Sequence, residues 1–361
     1  MKRFLYIALV SIVVEACTKD IDFHRNDIKP ILMLNSQMTV GDTLHLVYLG
    51  VSNDVSVEAV QSGTVKCYIN GSYAAEGVLD NRDDEVFTTD EKTNVTGMYA
   101  SSALQTRYSF RADFKPGDIV RIEAEANDGA LKAYAELTVP KAPEFQISDT
   151  LYQKDPAKPD SFDEGTYRLI INGKDIPGEN SFFRIKTGYS RLDRIFNKAT
   201  DTEDARHWNL EREFHYLYFE KGNDPILNDG APSEDLDLTG ANENSFRVFT
   251  DRMFTDGDFK ITVEIPSLIP NNGPVVFEKF DSADSDTFVS VIISGITENE
   301  YHYLKALSIY DYLDGDTSLT EPVSFPNNVE GGVGLVSVCT PAVATVKFHR
   351  TFTTSGSLYI D

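Results

Sequence analysis

The six histidines, His24, His45, His207, His215, His302 and His349, are the side chains best suited to holding a metal or moving a proton near neutral pH. No two of them stand at i, i+4 with a glutamate between, the arrangement that puts two zinc ligands and a general base on one helix face. His207 and His215 share a segment with Glu211 and Glu213, so a metal site there stays open, although solvated residues on a polar excursion explain the same segment. Glycoside hydrolysis needs two opposed carboxylates, but with 57 Asp and Glu in the chain no particular pair is informative. Gly331-Gly332-Val333-Gly334 lacks the Lys-Ser/Thr of a phosphate loop and is flanked by strand-like runs, so it reads as a tight approach between strands. No Gly-x-Ser-x-Gly nucleophile elbow occurs. Asp224, Asp229, Asp235 and Asp237, or Asp281, Asp284 and Asp286, could gather oxygens for calcium. Neither set has the twelve-residue loop spacing, and solvated acidic loops are the favoured reading. No catalytic residue, metal or cofactor is assigned, and the chain is expected not to be an enzyme.

Recognition chemistry is better represented. Trp208, Phe214, Tyr216 and Tyr218 cluster in one stretch, and such rings combine a large contact area with a polar handle. They form the candidate recognition surface; the alternative is that they pack back as a small satellite core.

The remaining chemistry lies at the start. Lys2 and Arg3 precede an apolar run from Phe4 to Val14, and Val14-Glu15-Ala16-Cys17 closes it. A positive start, a short apolar core and a small residue before the cut are the parts of an export leader, and the run is too short to span a bilayer. With cysteine next, residues 1–16 resemble a bacterial lipoprotein signal, which implies lipidation of Cys17. Glu15 departs from the uncharged residue usual there. Thr18-Lys19-Asp20 is similar to the tag that places Bacteroidetes lipoproteins on the outer face of the outer membrane. Cys67 and Cys339 are the other cysteines; each sits in a strand-like run in a different half, so both are expected as unpaired core thiols.

These residues must be positioned by a body of mostly β structure. A chain of 361 residues exceeds one typical domain, and 41% hydrophobic content suffices for a packed core. The net charge of −24 repels phosphate backbones and anionic leaflets, so nucleic acid is excluded as a partner and membrane attachment falls to the lipid. Residues 17–28 read as a tether. Short alternating runs over residues 29–140, with Asn70-Gly71 and Asn127-Asp128-Gly129 as turns, predict an immunoglobulin-like β-sandwich. Pro140-Lys141-Ala142-Pro143 breaks the pattern. Residues 144–361 predict a second β-rich domain with an irregular insertion at 190–243 and a strand at 321–325. Its one amphipathic helix, 298–313, is capped by the box Thr297 to Glu300 and buries Tyr303, Ala306, Leu307 and Tyr310.

In order and spacing, several segments resemble the family catalogued as domain of unknown function 4249. They are Lys29-Pro30-Ile31-Leu32, Tyr108 to Phe114 with Pro116-Gly117-Asp118, and Leu137-Thr138-Val139-Pro140. In the second half they are Phe246 to Phe249 with Asp251, Phe254 and Asp256-Gly257, Tyr301-His302-Tyr303-Leu304, Glu321-Pro322-Val323, Asn327-Asn328-Val329 and Gly331 to Gly334. The resemblance implies an exported Bacteroidetes lipoprotein of the outer membrane, an accessory partner of a TonB-dependent transporter, with no catalytic residues to carry over. A cell-surface adhesin or fimbria-like subunit is the alternative.

Overall fold

The computed structural model describes residues 29–53, 56–81, 105–154, 165–176, 178, 180–197, 206–217, 219, 224–230, 243–266, 275–276, 282–312, 323–353 and 359–360. The leader, Cys17 and the tether lie outside them. The chain is mainly β. The first strands are β1 (Ile31–Thr39), β2 (Leu44–Ser52), β3 (Val57–Ala59), β4 (Gly63–Ile69), β5 (Ser72–Glu76), β6 (Val78–Leu79), β7 (Thr106–Arg111), β8 (Ile119–Ala126) and β9 (Leu131–Thr138). There follow β10 (Glu144–Lys154), β11 (Gly165–Lys174), β12 (Phe182–Asn197), β13 (Arg206–Leu217), β14 (Val248–Thr250), β15 (Asp258–Pro266), β16 (Val275–Val276) and β17 (Ser282–Gly295). Helix α1 (Glu298–Tyr312), β18 (Gly332–Val333), β19 (Val336–Thr353) and β20 (Tyr359–Ile360) follow, and a short 3-10 helix (Asp251–Met253) stands between β14 and β15.

The first half closes as the turn chemistry dictates. Asn70 and Gly71 take φ of 51° and 76°, the left-handed pair that joins β4 to β5 in a two-residue turn. A four-stranded sheet, β5-β4-β8-β9, faces β1, β2 and β7. Val65, Cys67, Val120 and Ile122 from one layer meet Leu32, Leu34, Val47 and Leu49 from the other in one core. Each such side chain contributes about 2 kcal/mol of burial.

That core is not complete without the end of the chain. Val329, Val336 and Val338 belong to it, because β1 pairs antiparallel with β2 on one side and parallel with β18 and β19 on the other. The parallel seam is irregular, and asparagine amides supply what the ladder lacks. Asn35 Oδ1 accepts from the Leu335 amide at 2.9 Å, while Asn328 both accepts from the Val336 amide (2.9 Å) and donates to its carbonyl (2.7 Å). Asn327 Oδ1 accepts from the amides of Val329 and Gly334. The glycines answer to the same closeness: a Cβ on Gly332 would lie 2.4 Å from the Leu32 carbonyl oxygen, and one on Gly334 2.2 Å from that of Leu34. Residues far beyond the boundary at Pro140 to Pro143 therefore help to close the first core. Even the linker is gripped, with Thr340 Oγ1 donating to the Pro140 carbonyl at 2.6 Å.

In the second half, the sheet β10-β11-β15 packs on β12, β17 and the later part of β19. Leu169, Ile171, Ile261 and Val263 meet Phe183, Ile185, Val289 and Val291 in a second core. Of the irregular insertion expected over 190–243, residues 190–197 and 206–217 are corrected to strand: β12 runs on to Asn197 and pairs with β13 and β17 through its far end, since hydrogen bonding to neighbours on both sides overrides the polar composition. The strand expected at 321–325 is also corrected, as residues 323–325 are not in a strand.

Helix α1 covers the opposite face of β12, where Tyr301, Tyr303, Leu304 and Leu307 pack with Phe246, Val248 and Leu335. Thr297 caps it, its hydroxyl accepting from the Glu300 amide at 3.2 Å. Two details differ from expectation. Tyr310 is exposed, at 44%, because the helix turns its Tyr301–Leu304–Ser308 line inward. Glu300 is buried (1% exposed) and accepts from the Gln37 side-chain amide of β1 at 2.8 Å rather than completing the box. Burial pushes the Glu300 carboxyl above its usual range, against the opposing pull of Arg184, Gln37, Ser337 and Lys186.

Two outcomes follow from this seam. Gly334→Ala should lower unfolding free energy by about 2 kcal/mol or more in a urea titration, whereas Gly71→Ala, with φ +76° and open space around it, should lose only about 1 kcal/mol. The folded chain holds the Glu300 proton more tightly than the unfolded chain, so this residue's contribution to stability falls as pH rises from the ordinary glutamate range through its raised value. Glu300→Gln should therefore melt higher than the wild type at neutral pH, with the gap closing in acid.

Candidate functional site

Of the four aromatic residues in the candidate recognition surface, the structure places two side chains together. Phe214 and Tyr216 lie on β13, their rings edge to face at 5.2 Å, with the Lys186 ammonium 5.1 Å from the Tyr216 ring centre. Phe214 is 42% exposed. A register shift between Tyr189 and Arg191 marks a bulge in this pairing, and bulges re-aim the side chains beside them. Trp208 falls within the same strand, opposite Ile195. Tyr218 lies outside the described residues, and Phe219 turns into the second core.

Three of the aspartates raised as calcium ligands, Asp224, Asp229 and Asp286, have other occupations. Asp224 accepts from the backbone amides of Ile226, Leu227 and Thr262 at 3.0–3.3 Å, so it ties its turn to the edge of β15. Burial raises its pKa above the ordinary aspartate value while those three amides pull it back. Asp229 pairs with Lys305 at 2.6 Å. Asp286 is buried, meeting His349 Nδ1 at 2.7 Å and Lys347 Nζ at 3.0 Å across the β17–β19 ladder. Asp235, Asp237 and Asp281 lie outside the described residues. Among the described residues no group of three or more His, Cys, Asp or Glu gathers to hold a metal ion.

His45 is a core histidine, stacked on Phe114 at 4.5 Å and hydrogen-bonded to the Ala112 carbonyl, with its pKa lowered by burial. The Cys67 and Cys339 thiols are free, and burial pushes Cys67 up to about 12 and Cys339 to about 11, so neither is a ready nucleophile at neutral pH.

Sequence reasoning missed a cleft of about 860 Å³ at the end of the β10-β11-β15 sheet. Its walls include Gln146, Asn172, Lys174 and Lys260 on the strands and Pro225 and Met253 beside them. Gly173 is its sequence signal. A Cβ there would stand 2.1 Å from the Phe259 ring, which lies across the glycine and keeps this end of the sheet thin.

No curated protein matches the sequence. A solved structure, the crystal structure of a DUF4785 family protein from Legionella pneumophila, is similar at 9% identity over 73% of this chain and 52% of that one, with a TM-score of 0.22. The chain thus spans about half the length of that protein, and a TM-score at this level carries no argument. The family described as domain of unknown function (DUF4249) matches residues 18–345. The match takes in both cores, helix α1 and the Asn327 to Gly334 clip, and the chain belongs to the DUF4249 family.

Proposed function

We propose that this protein is a lipoprotein of the outer membrane, held by lipid on Cys17, that serves as a non-enzymatic binding partner of a TonB-dependent transporter. The observation that carries the reading is the leader itself: a positive start, a short apolar run and Ala16-Cys17, ahead of a polar tether. Among the described residues no helix is long and apolar enough to cross a membrane, so in this reading the acyl chains supply the attachment. Confinement to the membrane raises the effective concentration of the body near an integral partner. The surface offered to that partner is the outer edge of β13, with Phe214 and Tyr216. Among the described residues β13 has one strand neighbour, and edge strands recruit further strands.

A second reading, an adhesin or fimbria-like subunit, has its own support. Among the described residues the eleven-stranded sheet ends at β6 as well as at β13, and two open ends suit end-to-end assembly. Fractionation decides the anchor. The wild type should leave the membrane only with detergent, and Cys17→Ala should move to the soluble fraction; a variant that stays membrane-bound contradicts the reading. A barrel receptor co-purifying after detergent extraction supports the transporter partnership, and laddered polymers in its place support the adhesin.

A further inference from the structure

The cleft has a charge pattern that the strand register makes explicit. Glu144, Lys174 and Asp258 face one another across β10, β11 and β15, and Gln146, Asn172 and Lys260 form the next row on the same face. All six are exposed. The first row carries two carboxylates about one ammonium, a net of one negative charge. The second carries two amides and, at its β15 end, one ammonium, a net of one positive charge. Two residues along a strand separate the rows, about 7 Å. The intervening row, Phe145, Gly173 and Phe259, sends its side chains toward the core, with Phe259 buried, so peptide groups form the floor between the charged rows. Farther along the same face Arg168 and Glu264 approach to 3.8 Å. Glu144, Lys174, Asp258 and Lys260 make no ion pair with the described residues and keep their charges for a ligand. Pro225 and Met253, the latter 40% exposed, add an apolar wall at one side.

We propose that this cleft binds a short zwitterionic peptide with an apolar side chain, its carboxylate on Lys260, its ammonium toward Glu144 and Asp258, and its side chain against Pro225 and Met253. Asn172 and Gln146 are the donors and acceptors for the peptide group between the two ends. A simple anion meets the acidic row and a simple cation meets Lys260, so the pattern selects a molecule carrying both charges. The volume lies within the range of small-ligand clefts. The inference does not rest on membrane attachment.

The test uses the purified full chain and the dipeptide Leu-Phe, with binding followed by saturation-transfer NMR and calorimetry. Leu-Phe should bind, and N-acetylation or C-amidation should each weaken it about tenfold, the scale of one charge-assisted hydrogen bond. Lys260→Gln should erase the effect of C-amidation while preserving that of N-acetylation; Glu144→Gln with Asp258→Asn should do the reverse. All three positions are exposed, and unchanged unfolding midpoints verify that the variants fold. Absence of binding, equal affinity for capped and free dipeptides, or variants that bind as the wild type does would overturn the proposal.

Discussion

The parallel contact between β1 and the returning chain at β18 and β19 is the constraint on which the rest of the architecture depends. A strand with one neighbour leaves a row of amides and carbonyls open. Here β1 carries Leu32 and Leu34, both fully buried, so its second edge must be filled by something that also closes the core. The closing segment comes from some three hundred residues downstream. Its backbone approaches so nearly that side chains are excluded at Gly332 and Gly334, and the irregular pairing is repaired by Asn35, Asn327 and Asn328. An asparagine amide offers both a donor and an acceptor, which suits it to replace a missing strand residue.

Past the seam, β19 continues as one strand of 18 residues into the second half and pairs with β17. The two sandwiches are thus mounted on shared backbone. Helix α1 ties them again, since Glu300 leaves the helix to meet Gln37 of β1 while its neighbours pack on β12. Burying this carboxyl costs stability at neutral pH, and the Gln37 amide is the partner that offsets part of the cost.

Much of this was legible in residue order. Asn70-Gly71 marked its turn because only left-handed backbone fits a two-residue hairpin, and Thr297 marked the start of α1. The four residues Gly331 to Gly334 signalled close strand approach, yet not which strand, because the partner lies three hundred residues away. Glu300 misled, since a capping box and a buried interface acid look identical in sequence. The stretch 190–197 misled differently: polar composition suggested a loop, while pairing with β13 and β17 made it a strand. The cleft was invisible because its six polar residues come from three separated strands and acquire meaning only in register.

The central claim is that the seam makes one cooperative body of both sandwiches, and native-state hydrogen exchange across a denaturant series tests it most directly. Amides of Val47 and Leu49 in the first core and of Val289 and Val291 in the second should converge on one global opening free energy. Two separate plateaus, with either half exchanging while the other stays protected, would contradict it.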